Sequence, residues 1–216
     1  MEVCAKRIAE IVKNVMAEIE NGATGAEAIP IGVSNRHIHL TAADVAVLFG
    51  EGYELTKIKD LKQPGQYACK EVLTIVGPSM RPIENVRVLG PIRSRTQVEI
   101  SMTDSYQLKV KPPIRESGDL DGSAPITVIG PRGVLSLPEA AIIANRHIHM
   151  SLEDAKRFGV SDGDYVTVDV RGKKHTRWYD VQIRASEKFV LEMHVDTDDA
   201  NAAGIGNGSL VTLVKE

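Results

Sequence analysis

"NRHIH" stands at Asn35–His39 and again, letter for letter, at Asn145–His149 of this 216-residue chain. Successive side chains of a β-strand point to opposite faces, so His37 and His39 share one face and Ile38 takes the other. His147, Ile148 and His149 repeat the arrangement. Two such histidine pairs make a metal site, or a pair of sites, if the fold brings them together. The repeat extends beyond the pentapeptide, because VSNRHIHLTAADVAVLFG aligns without gaps with IANRHIHMSLEDAKRFGV. After each HIH comes an apolar residue, then Thr41 or Ser151, then Asp44 or Asp154 three positions on. That spacing is close to a capping box, so each histidine strand is expected to run straight into a helix N-terminus. Unpaired N–H groups and a partial positive charge there favour anions nearby. The duplication predicts two similar half-structures, each with one such junction.

Most of the remainder reads as short, β-branched strands punctuated by Gly and Pro: EVLTIVGP, VRVLGP, TQVEISM, YQLKVKPP, PITVIGP, YVTVDVRGKK, YDVQIRA and FVLEMHV. Helical patterns are few: the two stretches after HIH, PEAAIIAN, DTDDANAAG and the N-terminus. The expected fold class is mainly β, with two small barrels capped by short helices. The first barrel is expected over 31–143, its opening strand free to cross over and complete the second, which spans 144–216. Residues 1–20 place Ile8, Ile11, Val12, Val15, Met16 and Ile19 at helical spacing among charges, an amphipathic helix. A small-residue linker follows at 21–30. A helix on such a leash is a docking peptide or folds back on its own domain, and the residues by themselves favour the second.

Composition narrows the function classes. The net charge is −3 with no basic stripe, a poor match to nucleic acid. No apolar run approaches a membrane span, and charges interrupt the N-terminus too often for a secretory signal. Cys4 and Cys69 have no metal spacing and read as reduced thiols of a cytoplasmic protein.

The remaining histidines sharpen the picture. His194, in LEMHVDTDD, ends a strand just before another capped helix start at Asp196 or Thr197, the HIH junction for a third time. His175 lies at a basic hairpin and is set aside as solvent-exposed. Catalytic zinc uses about three protein ligands, so five histidines and one carboxylate serve two ions. The carboxylate is Glu99 of TQVEISM: Val98, Ile100 and Met102 form the apolar face of that strand, and Gln97, Glu99 and Ser101 project to the other. Upstream, Arg93 and Arg95 are candidates to hold phosphate by paired hydrogen bonds. A single HxH on a strand is more often a solvated face, but two identical copies and a third histidine in matching context shift the balance to metal. Neither cysteine has a placed histidine partner, and no serine-nucleophile motif occurs, so a covalent acyl-enzyme gets no support.

The doubled NRHIH, ENVRVLGP, RSRTQVEIS and LEMHVDTDDANAAG together resemble the phosphotransacylases of the PduL type, the phosphate propanoyltransferases. The resemblance covers Ile31 to the C-terminus. It implies two β-barrel domains, a homodimer, and two zinc ions per chain held by His37, His39, Glu99, His147, His149 and His194. It implies interconversion of an acyl-CoA (propanoyl-CoA or acetyl-CoA) plus phosphate with acyl phosphate plus CoA. Arg93 is implied as the catalytic, phosphate-contacting arginine, and Val33, Ser34, Asn35, Arg87, Leu89 and Asn201 as CoA contacts. Where the family has Lys-Gly after Gly-Pro, this chain has Ser79-Met80 and then Arg81, so a contact to CoA phosphate is lost there or moves to Arg81. Some members carry an amphipathic N-terminal extension that targets them to shell or cargo proteins of a bacterial microcompartment. Residues 1–20 are similar to it, which reverses the preference for a helix folded back. Two alternatives stay open: a dinuclear zinc hydrolase, and a non-enzymatic microcompartment cargo with structural zinc.

Overall fold

The computed structural model of the chain describes residues 27–214. The amphipathic helix expected at 1–20 lies outside them. The chain runs β1 (Ala28–Ser34), β2 (His37–His39), α1 (Ala42–Phe49), β3 (Lys57–Asp60), β4 (Tyr67–Val76), β5 (Pro82–Gly90), β6 (Gln97–Glu99), α2 (Met102–Leu108) and β7 (Ile114–Arg115). It continues through β8 (Ala124–Ile129), β9 (Val134–Ala144), β10 (His147–Met150), α3 (Leu152–Phe158), β11 (Tyr165–Val170), β12 (Thr176–Ala185), β13 (Glu192–Asp196), α4 (Thr197–Ala203) and β14 (Leu210–Leu213).

The strands form two closed six-stranded barrels, as the mainly β reading expects. In the first, the ring β4-β5-β2-β6-β9-β8 returns to β4, with β3 and β7 added beside β4 and β9. The second is β1-β13-β10-β12-β11-β14. The chain passes between the barrels twice. β1 sits in the second barrel between β13 and β14, and the chain then crosses at Asn35–Arg36 to β2 of the first. β9 sits in the first barrel, and the chain crosses back at Asn145–Arg146 to β10 of the second. Each NRHIH is therefore a crossing point between the barrels, which sets both HIH strands at the same seam. Closure also leaves neither ring with an unpaired edge.

Strand alternation divides the work of each HIH. Ile38 and Ile148, both fully buried, belong to the two separate hydrophobic cores, the first with Leu73, Val88, Val98 and Ile126, the second with Ile31, Val168, Ile183 and Met193. Each isoleucine contributes about 1.5–3 kcal/mol by leaving water. The flanking histidines face the seam. Every helix among the described residues then starts in the same way, with a strand residue on the seam, an apolar residue, a capping residue and an aspartate three further on. These runs are His39-Leu40-Thr41 to Asp44, Glu99-Ile100-Ser101 to Asp104, His149-Met150-Ser151 to Asp154 and His194-Val195-Asp196 to Asp199. In all of them the cap side chain accepts a hydrogen bond from the backbone N–H of that aspartate. At Ser101 and Ser151 the aspartate returns the bond and completes a capping box.

Three local readings of the sequence are corrected. PEAAIIAN is not helical but the end of β9, where Ala140 to Ile143 are buried on both faces and the backbone is spent on ladders to β6, β7 and β8. TQVEISM and YQLKVKPP are not two strands: Ser101 caps α2 between them, so Met102 is an exposed first-turn residue and Tyr106–Leu108 are helical. Ala28–Pro30, assigned to the linker, pair with β14 as strand.

Candidate active site

The seam opens into a cleft of about 940 Å³ lined from both barrels. His37, His39, Glu99, His147, His149 and His194 all line it. They fall into two groups whose donor atoms lie within 4.8 Å of one another: His37, His39 and Glu99 in the first barrel, His147, His149 and His194 in the second. The register explains each group. β2 runs antiparallel to β6 with His37 opposite Glu99, and β10 runs antiparallel to β13 with His147 opposite His194.

Hydrogen bonds from the crossing points aim the rings. His37 Nδ1 lies 2.9 Å from the Asn35 carbonyl and His147 Nδ1 2.9 Å from the Asn145 carbonyl. A carbonyl only accepts, so Nδ1 carries the proton and Nε2 is left bare as a ligand nitrogen. His39 does the same with the Leu89 carbonyl at 3.1 Å. His149 Nδ1 is buried without a hydrogen bond among the described residues, and the buried His194 Nε2 has only the Glu192 carboxylate beside it, at 3.1 Å and off the direction of a hydrogen bond. A buried imidazole nitrogen left unpaired is costly unless something else takes it up.

The electrostatics keep most of these donors in ligand form. Burial, then the neighbouring His37, lowers His39 to about 3. Burial and His194 lower His147 to about 4, and burial with His147 and His194 lowers His149 to about 2. Those three rings are neutral at pH 7. His37 goes the other way: burial opposes its cation, but Glu99, with Oε2 3.4 Å from Nε2, outweighs it and raises the pKa. Glu99 in turn is held far below the usual carboxylate range, where His37 and then His39 and Arg93 overcome its burial. An all-nitrogen set and a mixed nitrogen–oxygen set, without thiolate, suit divalent cations such as zinc. The unpaired His149 nitrogen and the neutral rings fit that group.

Arg93 also lines the cleft, with its backbone N–H bonded to the Leu40 carbonyl and Nη1 donating to Ser117 Oγ at 2.9 Å. Of the residues implied as CoA contacts, Val33, Ser34, Asn35, Arg87 and Leu89 line the cleft, whereas Asn201 is exposed on α4 outside its lining. Ser79–Arg81 form the turn at the far end of the β4–β5 hairpin from Leu89. His175 is exposed and bonded to Asp169. Sequence reasoning missed Arg184, which is set opposite His149 by the parallel β10–β12 pairing and lowers Arg93 next after burial and opposite to Glu99. It also missed Ser117, whose Oγ accepts from Gln97 Nε2 at 2.8 Å and so joins Arg93 to the Gln97–Glu99 hydrogen bond of 2.6 Å. No local signal marks either residue. Glu192 was legible, because it stands two residues before His194 on the same strand face.

A family model described as phosphate propanoyltransferase matches residues 30–206. The phosphate propanoyltransferase of Lachnoclostridium phytofermentans is 56% identical over 207 residues, 96% of each chain. That of Thermotoga maritima is 57% identical over 188 residues, 87% of this chain and 89% of its own, and that of Clostridioides difficile is 46% identical over 96% of this chain and 97% of its own. The matched span runs from the first crossing strand past α4 and so contains every donor residue of the seam: the chain belongs to the phosphate propanoyltransferase family.

Proposed function

We propose that the protein interconverts a short-chain acyl-CoA, propanoyl-CoA or acetyl-CoA, plus phosphate with acyl phosphate plus CoA. Family membership makes it an acyltransferase. The observation that carries the finer reading is the meeting of a His/Glu group, an all-His group, Arg93 and Arg184 in one cleft.

His37, His39 and Glu99 would hold one zinc ion, and His147, His149 and His194 a second. Bound there, the ions supply charge neutralisation and Lewis acidity toward phosphate, thiolate and carbonyl. The chain's own groups do the rest. Arg93 grips phosphate, its guanidinium steadied by Ser117. Arg184 adds a second cation across the seam. Val33, Ser34, Asn35, Arg87 and Leu89 guide CoA along the lip formed by β1 and β5. With Cys69 buried and its thiol pushed by burial up to about 11, no thiolate is offered as a nucleophile among the described residues. Transfer is therefore direct, within one ternary complex, by positioning.

The test is to follow acyl phosphate and free CoA together. Stoichiometric consumption of both is expected, while loss of acyl phosphate without CoA would make the protein a hydrolase. Arg93→Ala is expected to raise the phosphate requirement more than about 10-fold with metal content unchanged, as removal of a charged hydrogen-bond donor does. We further propose a homodimer, located in a bacterial microcompartment within the cytoplasm, with residues 1–20 docking on shell or cargo proteins. Deleting them should abolish particle association and leave turnover intact.

A further inference from the structure

The two donor groups are corners of two larger squares. On β6, Gln97 stands opposite His39 as Glu99 stands opposite His37. On β13, Glu192 stands opposite His149 as His194 stands opposite His147. Gln97 and Glu192 are equivalent fourth corners, and each touches the third donor of its own square. Gln97 Nε2 donates to Glu99 Oε1 at 2.6 Å, while Glu192 Oε2 lies 3.1 Å from His194 Nε2. The 3.1 Å contact sets a carboxylate oxygen beside a ring nitrogen, off the direction of a hydrogen bond. The chemistry is complementary. In the first square a neutral amide backs an anionic donor, and in the second an anionic carboxylate backs an imidazole. Each square then carries one carboxylate.

Glu192 is also held where it stands. Its side chain is only 12% exposed, and Lys62 of the first barrel reaches Oε1 at 3.4 Å. Gln63, next to Lys62 and 3% exposed, donates from Nε2 to the Val190 carbonyl at 2.8 Å and accepts from the Val190 N–H at 3.1 Å. That two-point grip fixes the backbone two residues before Glu192. On the third side is Gly32, opposite His194 on β1, where a Cβ would come within 2.7 Å of the Glu192 carboxyl carbon. A glycine there leaves the space that the carboxylate fills.

We propose that Glu192 is a positioning residue for His194: it orients the ring and supplies the negative charge that the all-histidine group lacks, and the 61–66 loop of the opposite barrel holds it there. Carboxylates behind metal-bound histidines typically account for 10–100-fold in metal affinity. The three mutually close donors of that group are His147, His149 and His194, so Glu192 stands outside the set it supports.

The inference rests on the reading of both groups as metal sites, and a titration separates the two. Metal-free full-length protein is titrated with cobalt(II) against a chromophoric chelator, with the visible spectrum of bound cobalt recorded. If the wild-type chain takes up no ion, the metal-site reading fails. If it takes up two, Glu192→Ala is expected to weaken one about 10–100-fold with an altered cobalt spectrum, and to leave the other unchanged. The unchanged ion, held by His37, His39 and Glu99, reports that the variant is folded. Glu192→Gln, which keeps shape without charge, should weaken the same ion by less. Unaltered affinity and spectrum in both variants would overturn the proposal. So would loss of the ion as complete as in His194→Ala, which would make Glu192 a donor in its own right.

Discussion

The two halves share one plan and satisfy it unequally. Each has a crossing strand, an HIH strand paired in parallel with one neighbour and antiparallel with another, and two capped helices. In the first half the seam is closed within itself: His39 is bonded to Leu89, Gln97 to Glu99, and Arg36 grips Asp104 through two bonds of 2.9 Å. In the second half His149 Nδ1 has no hydrogen bond among the described residues, His194 Nε2 has only the Glu192 carboxylate beside it, and Arg146 stands 3.7 Å from Asp199. Burial raises that carboxyl to about 6 in spite of the arginine. A duplicated scaffold thus holds one half whose seam groups pair with one another and one that leaves a buried ring nitrogen of His149 unpaired among the described residues.

The largest effect is expected at the donors. His147→Ala should remove one of two metal equivalents and lower acyl transfer by at least about 100-fold, since even outer-shell losses reach that figure. Metal analysis of the purified variant, with His37→Ala alongside, decides whether the halves bind separately. Retention of two equivalents by both variants would break the assignment. Next come the two arginines. Arg36→Ala strands the nearly buried Asp104 and should cost about 2–3 kcal/mol in urea unfolding, discounted because Arg36 is partly exposed. Arg146→Ala should cost about 1 kcal/mol or less. Equal costs would mean that the halves are equally tight.

Acid should weaken the metal-free protein, mostly through the second half. His39, His147 and His149 titrate near 6.5 when unfolded but at about 3, about 4 and about 2 when folded. Below pH 6.5 the unfolded chain binds more protons at these positions, so stability falls as pH falls toward the folded values. Each group adds a slope approaching 1.4 kcal/mol per pH unit. His149→Gln should flatten the loss between pH 6.5 and 4.5 in thermal melts of metal-free protein. An unchanged slope would show that this ring is not held neutral.

Much of this was legible because the repeat is local and periodic. HIH alternation, the cap-x-x-Asp spacing and the matching context of His194 picked out the histidines that the fold gathers into two groups at the seam, and Glu99 followed from the apolar faces of its neighbours. The same run, a seam residue, an apolar residue, a cap and an aspartate, stands at Glu99-Ile100-Ser101 to Asp104 and would have shown α2. Strand composition hid it there, since Val98, Ile100 and Met102 alternate as β residues do. PEAAIIAN misled for the opposite reason: alanines favour helix locally, and only the surrounding ladders make them strand. Arg184 and Ser117 reach the seam through pairings and loops remote in sequence, which no local pattern encodes.

The smallest effect is the most specific to the comparison. The residue opposite Glu99 on the crossing strand is Ile142, fully buried, whereas the one opposite His194 is Gly32. The first half fills that position, and the second keeps it open for Glu192. Gly32→Ala puts a methyl against the end of a flexible side chain, which can yield. The stability cost should therefore be about 1 kcal/mol or less, the low end of overpacking. The displaced carboxylate should nevertheless weaken one ion, roughly 3- to 10-fold, less than Glu192→Ala because the charge stays near. Ile142→Ala, at the equivalent place, should do the reverse: about 2–5 kcal/mol of lost stability from the cavity, and little change at either ion. Unfolding curves and cobalt titrations of the two variants side by side would show this crossed pattern. If both variants lost only stability, Gly32 would be a packing residue and the openness of the second half would have no bearing on metal.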